Sequence, residues 1–166
     1  MTGIKIDVDR NALRRAKQHV KRTAERAANP APVWPRVGTY LSHANWKQFT
    51  SKGAYYGTPW KPLKPNYYRW KLKSGHGRTM LVLTGKMRTS FTARPMAIEV
   101  YSRHHAVFGS DDRLAIFHQF GTRRNGKRAI PARPMMVVTP KVRTDIADII
   151  EQYVTTGRVS SYKTRL

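Results

Sequence analysis

The string Gly121-Thr-Arg-Arg-Asn-Gly126-Lys127 sets a glycine, four residues and then Gly-Lys in the order that a phosphate-cradling loop uses. The next positions break that pattern. Arg128 stands where a Ser or Thr hydroxyl would hold magnesium, and Pro131 follows where the loop should run into a helix whose N-terminus faces the phosphates. The string therefore reads as a mobile basic loop carrying Arg123, Arg124, Lys127 and Arg128. Acid-base and metal chemistry find equally little support. The carboxylates are scattered, and the adjacent pair Asp111-Asp112 lies where a helix begins, a capping position. His19, His43, His76, His104, His105 and His118 show no HExxH or comparable spacing, and there is no cysteine to complete a zinc set or act as a thiol nucleophile. His118 has no nucleophile motif near it, so its expected role is that of a partly buried side chain that hydrogen-bonds backbone and fixes the adjoining loop. No cofactor, no metal and no catalytic set are expected, and a nuclease would need clustered carboxylates for its metal ions.

Charge is the more informative chemistry. The 32 Lys and Arg against 9 Asp and Glu leave a formal charge of +23 on 166 residues. Such a field favours anionic partners: nucleic acid, an acidic protein surface or an acidic membrane face. No acid occurs between Glu25 and Glu99, whereas thirteen Lys or Arg do, and a second acid-free stretch runs from Arg113 to Thr144. Within the first stretch Tyr55, Tyr56, Trp60, Tyr67, Tyr68 and Trp70 alternate with Lys61, Lys64, Arg69, Lys71 and Lys73. Rings and cations in that mixture stack bases and hold phosphates, but the same residue types dominate protein interfaces, and the residues alone leave the two readings open.

These groups must be held by a chain that is 40% apolar and of single-domain length, long enough to withdraw about 70% of its unfolded surface from water. Residues 1–157 read as one domain and 158–166 as a polar, basic tail. From Asp9, which can cap, Leu13, Ala16, Val20, Ala24 and Ala27 recur at helical spacing until Asn29-Pro30, surrounded by Arg14, Arg15, Lys17, Lys21 and Arg22. A proline-broken link over 30–35 leads to a second helix over 39–50. A turn-rich segment over 52–65 and a short helix over 66–73 follow. After the apolar run Met80 to Leu83, Thr84-Gly85 forces a turn, and 86–93, 97–102 and 105–109 are expected as strands. Leu114, Ala115, Phe117 and Phe120 suggest a short helix closed by Gly121, and Ile130-Pro131-Ala132-Arg133-Pro134 is stiff and extended. Thr139-Pro140 opens the best amphipathic helix, with Val142, Ile146, Ile149, Ile150 and Tyr153 on one face and Gly157 past its end. The order predicts an α+β domain: a small, mainly antiparallel sheet packed with N-terminal helices and a C-terminal amphipathic helix. No run of apolar residues is long enough to span a membrane, and the polar start lacks the apolar core of a secretory signal.

Between about Phe49 and Val154 an ordered set of short motifs stands out: Trp60-Lys-Pro62-Leu63, then Leu81-Val-Leu83-Thr84-Gly85-Lys-Met87-Arg88-Thr-Ser90, then Ala115-Ile-Phe-His118-Gln119-Phe-Gly121, then Ile130-Pro131-Ala132-Arg133-Pro134-Met135. In this order and spacing the chain resembles the virion morphogenesis, or tail-completion, proteins of tailed bacteriophages. Met87 stands where that family usually has Leu, and Met135-Met136 where an aromatic and a leucine are common, substitutions that keep apolar volume. The first 48 residues match as a generic helical lead-in. The resemblance implies a non-enzymatic virion protein of the neck, assembled in the bacterial cytoplasm. Its subunits would form a ring of six and meet the head connector or adaptor, the tail tube or terminator, and the DNA that passes through, with no membrane involved. Arg133, held between two prolines, is the expected interfacial ion-pair residue, with Trp60 and the loop at Arg123 to Arg128 beside it. Thr84, Gly85, His118, Gly121, Pro131 and Pro134 are the structural positions of the motifs.

Overall fold

The computed structural model describes residues 9–159; the expected tail lies outside them from residue 160 on. Among the described residues, six helices, two short 3-10 turns and two antiparallel hairpins follow one another: α1 (Arg10–Ala28), α2 (Trp34–Thr50), α3 (Pro65–Lys73), α4 (Lys86–Thr92), β1 (Ile98–Tyr101), β2 (Ala106–Gly109), α5 (Arg113–Phe120), β3 (Thr122–Arg124), β4 (Lys127–Ile130) and α6 (Pro140–Thr156). The class is α+β, as the element order predicts. The sheet is not one unit, however, but two separate two-stranded ribbons, β1-β2 and β3-β4.

Helix α2 is the centre of the molecule. It begins five residues earlier than the sequence suggests, because Pro35 sits in its first turn, where a missing N–H costs nothing. Val33, Trp34, Val37, Tyr40, Leu41 and Ala44 are buried with Met96 and Val142. Against them pack Ile146, Ile149, Ile150 and Tyr153, the face foreseen for α6, together with Ala106 and Phe108 from β2. Thr139 caps α6, accepting from Val142 N at 3.2 Å, and Gly157 ends it at φ 71°. Tyr40 donates to Asp145 at 2.6 Å, locking α6 to α2 across the core and holding the Tyr40 hydroxyl well above its usual range, with burial as the larger cause.

The second half of α2 reaches another apolar cluster: Phe49, Trp60, Met87, Phe91, Ala115 and Met135. Residues 86–92, expected as a strand, are here the helix α4. Met87, Ser90 and Phe91 are buried at helical spacing, and Gly85 at φ 90° turns the chain into the first turn. β-branched Thr89 and Thr92 mimic a strand locally, but packing against α2 overrides that preference. The apolar run before it forms turns instead of a regular element, with Leu81 itself at φ 58°.

The ribbon β1-β2 shows how charge is managed where the acid-free stretch ends. Ile98 and Val100 share a face as expected, but with Val107 that face is exposed. The inward residue is Glu99, whose carboxylate pairs with Arg94 and accepts Met96 N at 2.8 Å.

Helix α1 is held at its C-terminal end. Arg26 donates to the carbonyls of Val154 and Thr155 at 3.1 and 3.0 Å, placing a cation at the C-terminus of α6. The rest of the helix extends into solvent with no buried residue, and even Leu13 and Val20 are exposed.

Candidate docking site

The four motifs, spread over some 75 residues of sequence, meet around one structural knot. Met135 is fully buried at its centre. Its neighbour Pro134 offers a carbonyl that accepts from Gln48 Nε2 at 2.8 Å and from the indole of Trp60 at 2.9 Å. Trp60 in turn meets the Phe49 ring edge-on at 5.4 Å. Gln119, on α5, accepts from Met135 N at 2.9 Å and donates to Met136 O at 2.7 Å, so one amide ties the helix to the extended segment as a strand would. Gly121 lets that segment come close: at φ 74°, an added Cβ would stand 2.7 Å from the Ile130 carbonyl oxygen. Trp60, Gly121 and Pro134 therefore serve as scaffold, and Gln48 and Gln119 are working residues that sequence reasoning did not single out. Gln119 lay inside a recognised motif, but nothing in its type marked it as a two-way bridge.

Over this knot lies an open groove of about 490 Å³. Its walls are mainly apolar, with Leu63, Leu81, Val82, Leu83, Leu114 and Ile130 among them, and Thr84, Gly85, His118, Pro131 and Arg133 also line it. Two buried cations set its electrostatics. Arg133 is 5% exposed and gives Nε to Lys61 O at 2.9 Å and Nη2 to Pro62 O at 3.2 Å. Lys71 is 2% exposed and donates to the carbonyl of Thr79. Burial lowers the pKa of both. Among the described residues neither forms an ion pair with a carboxylate. Within the single chain, Arg133, expected as an interfacial ion-pair residue, is engaged with backbone. Two prolines hold its backbone extended and its guanidinium turns inward to bracket the 61–62 carbonyls.

His118 is half-buried on the groove wall. Its backbone carbonyl accepts from Arg133 N at 2.6 Å, but its Nδ1 is buried without a partner. The expected loop-fixing hydrogen bond from this side chain is therefore absent among the described residues, and Gln119 does that work. Burial, reinforced by the Arg133 charge and opposed by Asp112, lowers the His118 pKa. Asp112 caps α5, accepting from Leu114 N at 2.9 Å, so the acidic pair does begin a helix.

Residues 121–130 are a hairpin, not a mobile loop: Asn125 and Gly126 both have positive φ, 51° and 73°, as a two-residue primed turn requires. A strand-turn-strand cannot cradle phosphates as a loop entering a helix does. Arg123 and Arg124 are exposed on it, and Lys127 and Arg128 belong to β4. Arg14, Arg15, Lys17, Lys21 and Arg22 are exposed along α1. Of the aromatic segment, Tyr56 and Trp60 are core residues, whereas Tyr55, Tyr67 and Trp70 remain exposed, the last two stacked at 5.4 Å.

The last feature is α5 itself. Only Ala115 is buried, while Leu114, Ile116, Phe117 and Phe120 are 58%, 59%, 47% and 75% exposed. Four large apolar side chains thus stand in water beside an apolar groove.

Fold and site together define a small α+β protein with an exposed apolar helix beside an apolar groove. The chain belongs to the phage virion morphogenesis family, whose profile matches residues 9–155, so the likeness read from Phe49 onward extends back through α1. It is 27% identical over 150 residues to the Mu-like prophage FluMu G protein 2 of Haemophilus influenzae, covering 89% of this chain and 95% of that protein. No solved structure matches it.

Proposed function

We propose that this chain is a structural subunit of the phage particle, not an enzyme, which closes into a ring of six at the head-to-tail junction and joins tail tube or terminator to head connector. The observation that carries the reading is the apolar surface of α5 beside the groove, in a chain of the phage virion morphogenesis family. Asp112, Asp145 and the Gln119 amide serve a cap and cross-links between elements, which supports a scaffold in place of a catalyst. Electron microscopy of particles containing the chain should place it in a ring-shaped layer between head and tail; particles that carry it elsewhere would overturn the reading. Incubation with DNA and magnesium or manganese should leave the DNA intact, and cleavage would refute the non-enzymatic role.

A second reading, sequence-independent nucleic-acid binding, is favoured by the exposed cations of α1. Six copies at +23 would carry +138, which self-repulsion opposes unless acidic neighbours or the passing genome offset it. The helix α1 and the β3-β4 hairpin are the surfaces proposed to meet them. If DNA is the counter-charge, affinity should fall by about a thousandfold or more between about 50 and 200 mM salt; negligible binding at low salt would leave acidic proteins as the partner.

A further inference from the structure

Ile116, Phe117 and Phe120 form a ridge on the side of α5 away from Ala115 and Gln119, which face the core, while Leu114 and His118 face the groove. No Lys, Arg, Asp or Glu lies between Arg113 and Arg123, and none between Arg78 and Lys86, the segment that supplies Leu81, Val82 and Leu83 to the groove wall. In a chain of +23 these are surfaces where a second copy can approach without setting cation against cation. The groove also holds two buried cations, Lys71 and Arg133, that lack carboxylate partners among the described residues. Both are almost wholly buried and donate to backbone carbonyls, so the groove presents mainly its apolar walls to an incoming ring.

We propose that the Ile116-Phe117-Phe120 ridge of one copy seats in the groove of the next, its rings against Leu81, Leu83 and Ile130. Ridge and groove are different surfaces of the same chain, so the contact is head-to-tail, the kind that repeats around a closed ring. The inference rests on the ring reading above and supplies the interface for it. It also accounts for a neutral, aromatic ridge on so basic a molecule.

The absence of cysteine gives a clean test. Phe117→Cys and Leu83→Cys chains are prepared separately, mixed and oxidised, with native mass spectrometry following assembly. The mixture should yield a disulfide-linked dimer that neither chain gives alone, and a control pairing Leu83→Cys with Val20→Cys on α1 should not. In parallel the double variant Phe117→Asp/Phe120→Asp should keep its circular dichroism and melting profile, since both residues are exposed, yet lose assembly. Rings that form without the 83–117 linkage would overturn this contact and leave the ring reading standing. A chain that remains monomeric and unlinked at every concentration would overturn both. Retained assembly by the double aspartate variant would also refute the ridge, and a groove occupied by an acidic segment of another virion protein would show as protection of Leu83→Cys by that protein alone.

Discussion

Helices α5 and α6 are both rich in large apolar residues, yet they use them in opposite ways. In α6, Val142, Ile146, Ile149, Ile150 and Tyr153 turn toward the core around α2, and the outward positions are polar. In α5, Ala115 alone is buried and the large side chains face water. The comparison separates apolar side chains that hold the fold from those that the proposed assembly would use. α6 is held by its apolar face, whereas α5 is held by a cap, a small alanine and the Gln119 amide, which frees its bulky residues for another surface.

The difference can be broken from either side. Met135→Ala empties a fully buried site under α5 and should cost about 2–5 kcal/mol in denaturant unfolding. Gly121→Ala should cost about 1–3 kcal/mol, because a Cβ there meets the Ile130 carbonyl and φ is positive; an unchanged midpoint would show that the close approach is not needed. Thr139→Ala removes the α6 cap at about 1 kcal/mol, and Asp112→Ala should cost a similar amount at α5.

A smaller effect comes from pH. The His118 pKa is lowered in the folded chain, so the unfolded chain binds the proton first as pH falls. Stability should therefore be full above the ordinary histidine value near about 6.5 and decline as pH falls from there toward the lowered native value. His118→Gln should flatten that part of a melting-temperature profile; because His43 is lowered in the same direction, some slope should remain until His43 is also replaced. The smallest effect on stability belongs to the ridge. Phe120→Ala should shift unfolding by less than about 0.5 kcal/mol while weakening self-association, a combination that no core position can give.

The contrast also explains what could be read in advance. α6 announces itself through Thr139-Pro140, a clear helical period and Gly157, and α1 through Asp9 and Asn29, since caps and periodicity are local signals. α4 could not be read in this way. Seven residues give barely two turns of period, and its helicity depends on α2, a partner distant in sequence. The existence of α5 was legible, but its orientation was not: apolar side chains at 114, 115, 116, 117 and 120 leave no polar face to point outward. For the site, the motifs were visible as words without their grammar. That Arg133 turns inward to the carbonyls of 61 and 62, and that the Gln119 side chain rather than the His118 ring secures the extended segment, follows from tertiary geometry alone. Asn125-Gly126 was a legible hairpin signal, masked by the nearby resemblance to a phosphate loop.

The most direct test of an assembly built on a neutral ridge between strongly cationic subunits is the mass of the purified chain as salt is raised. Screening weakens like-charge repulsion and leaves apolar contact intact, so assembly should strengthen from about 50 to about 500 mM salt, and Phe117→Asp/Phe120→Asp should stay monomeric throughout. An assembly that instead dissolves as salt rises, or one that the double variant forms equally well, would contradict the account.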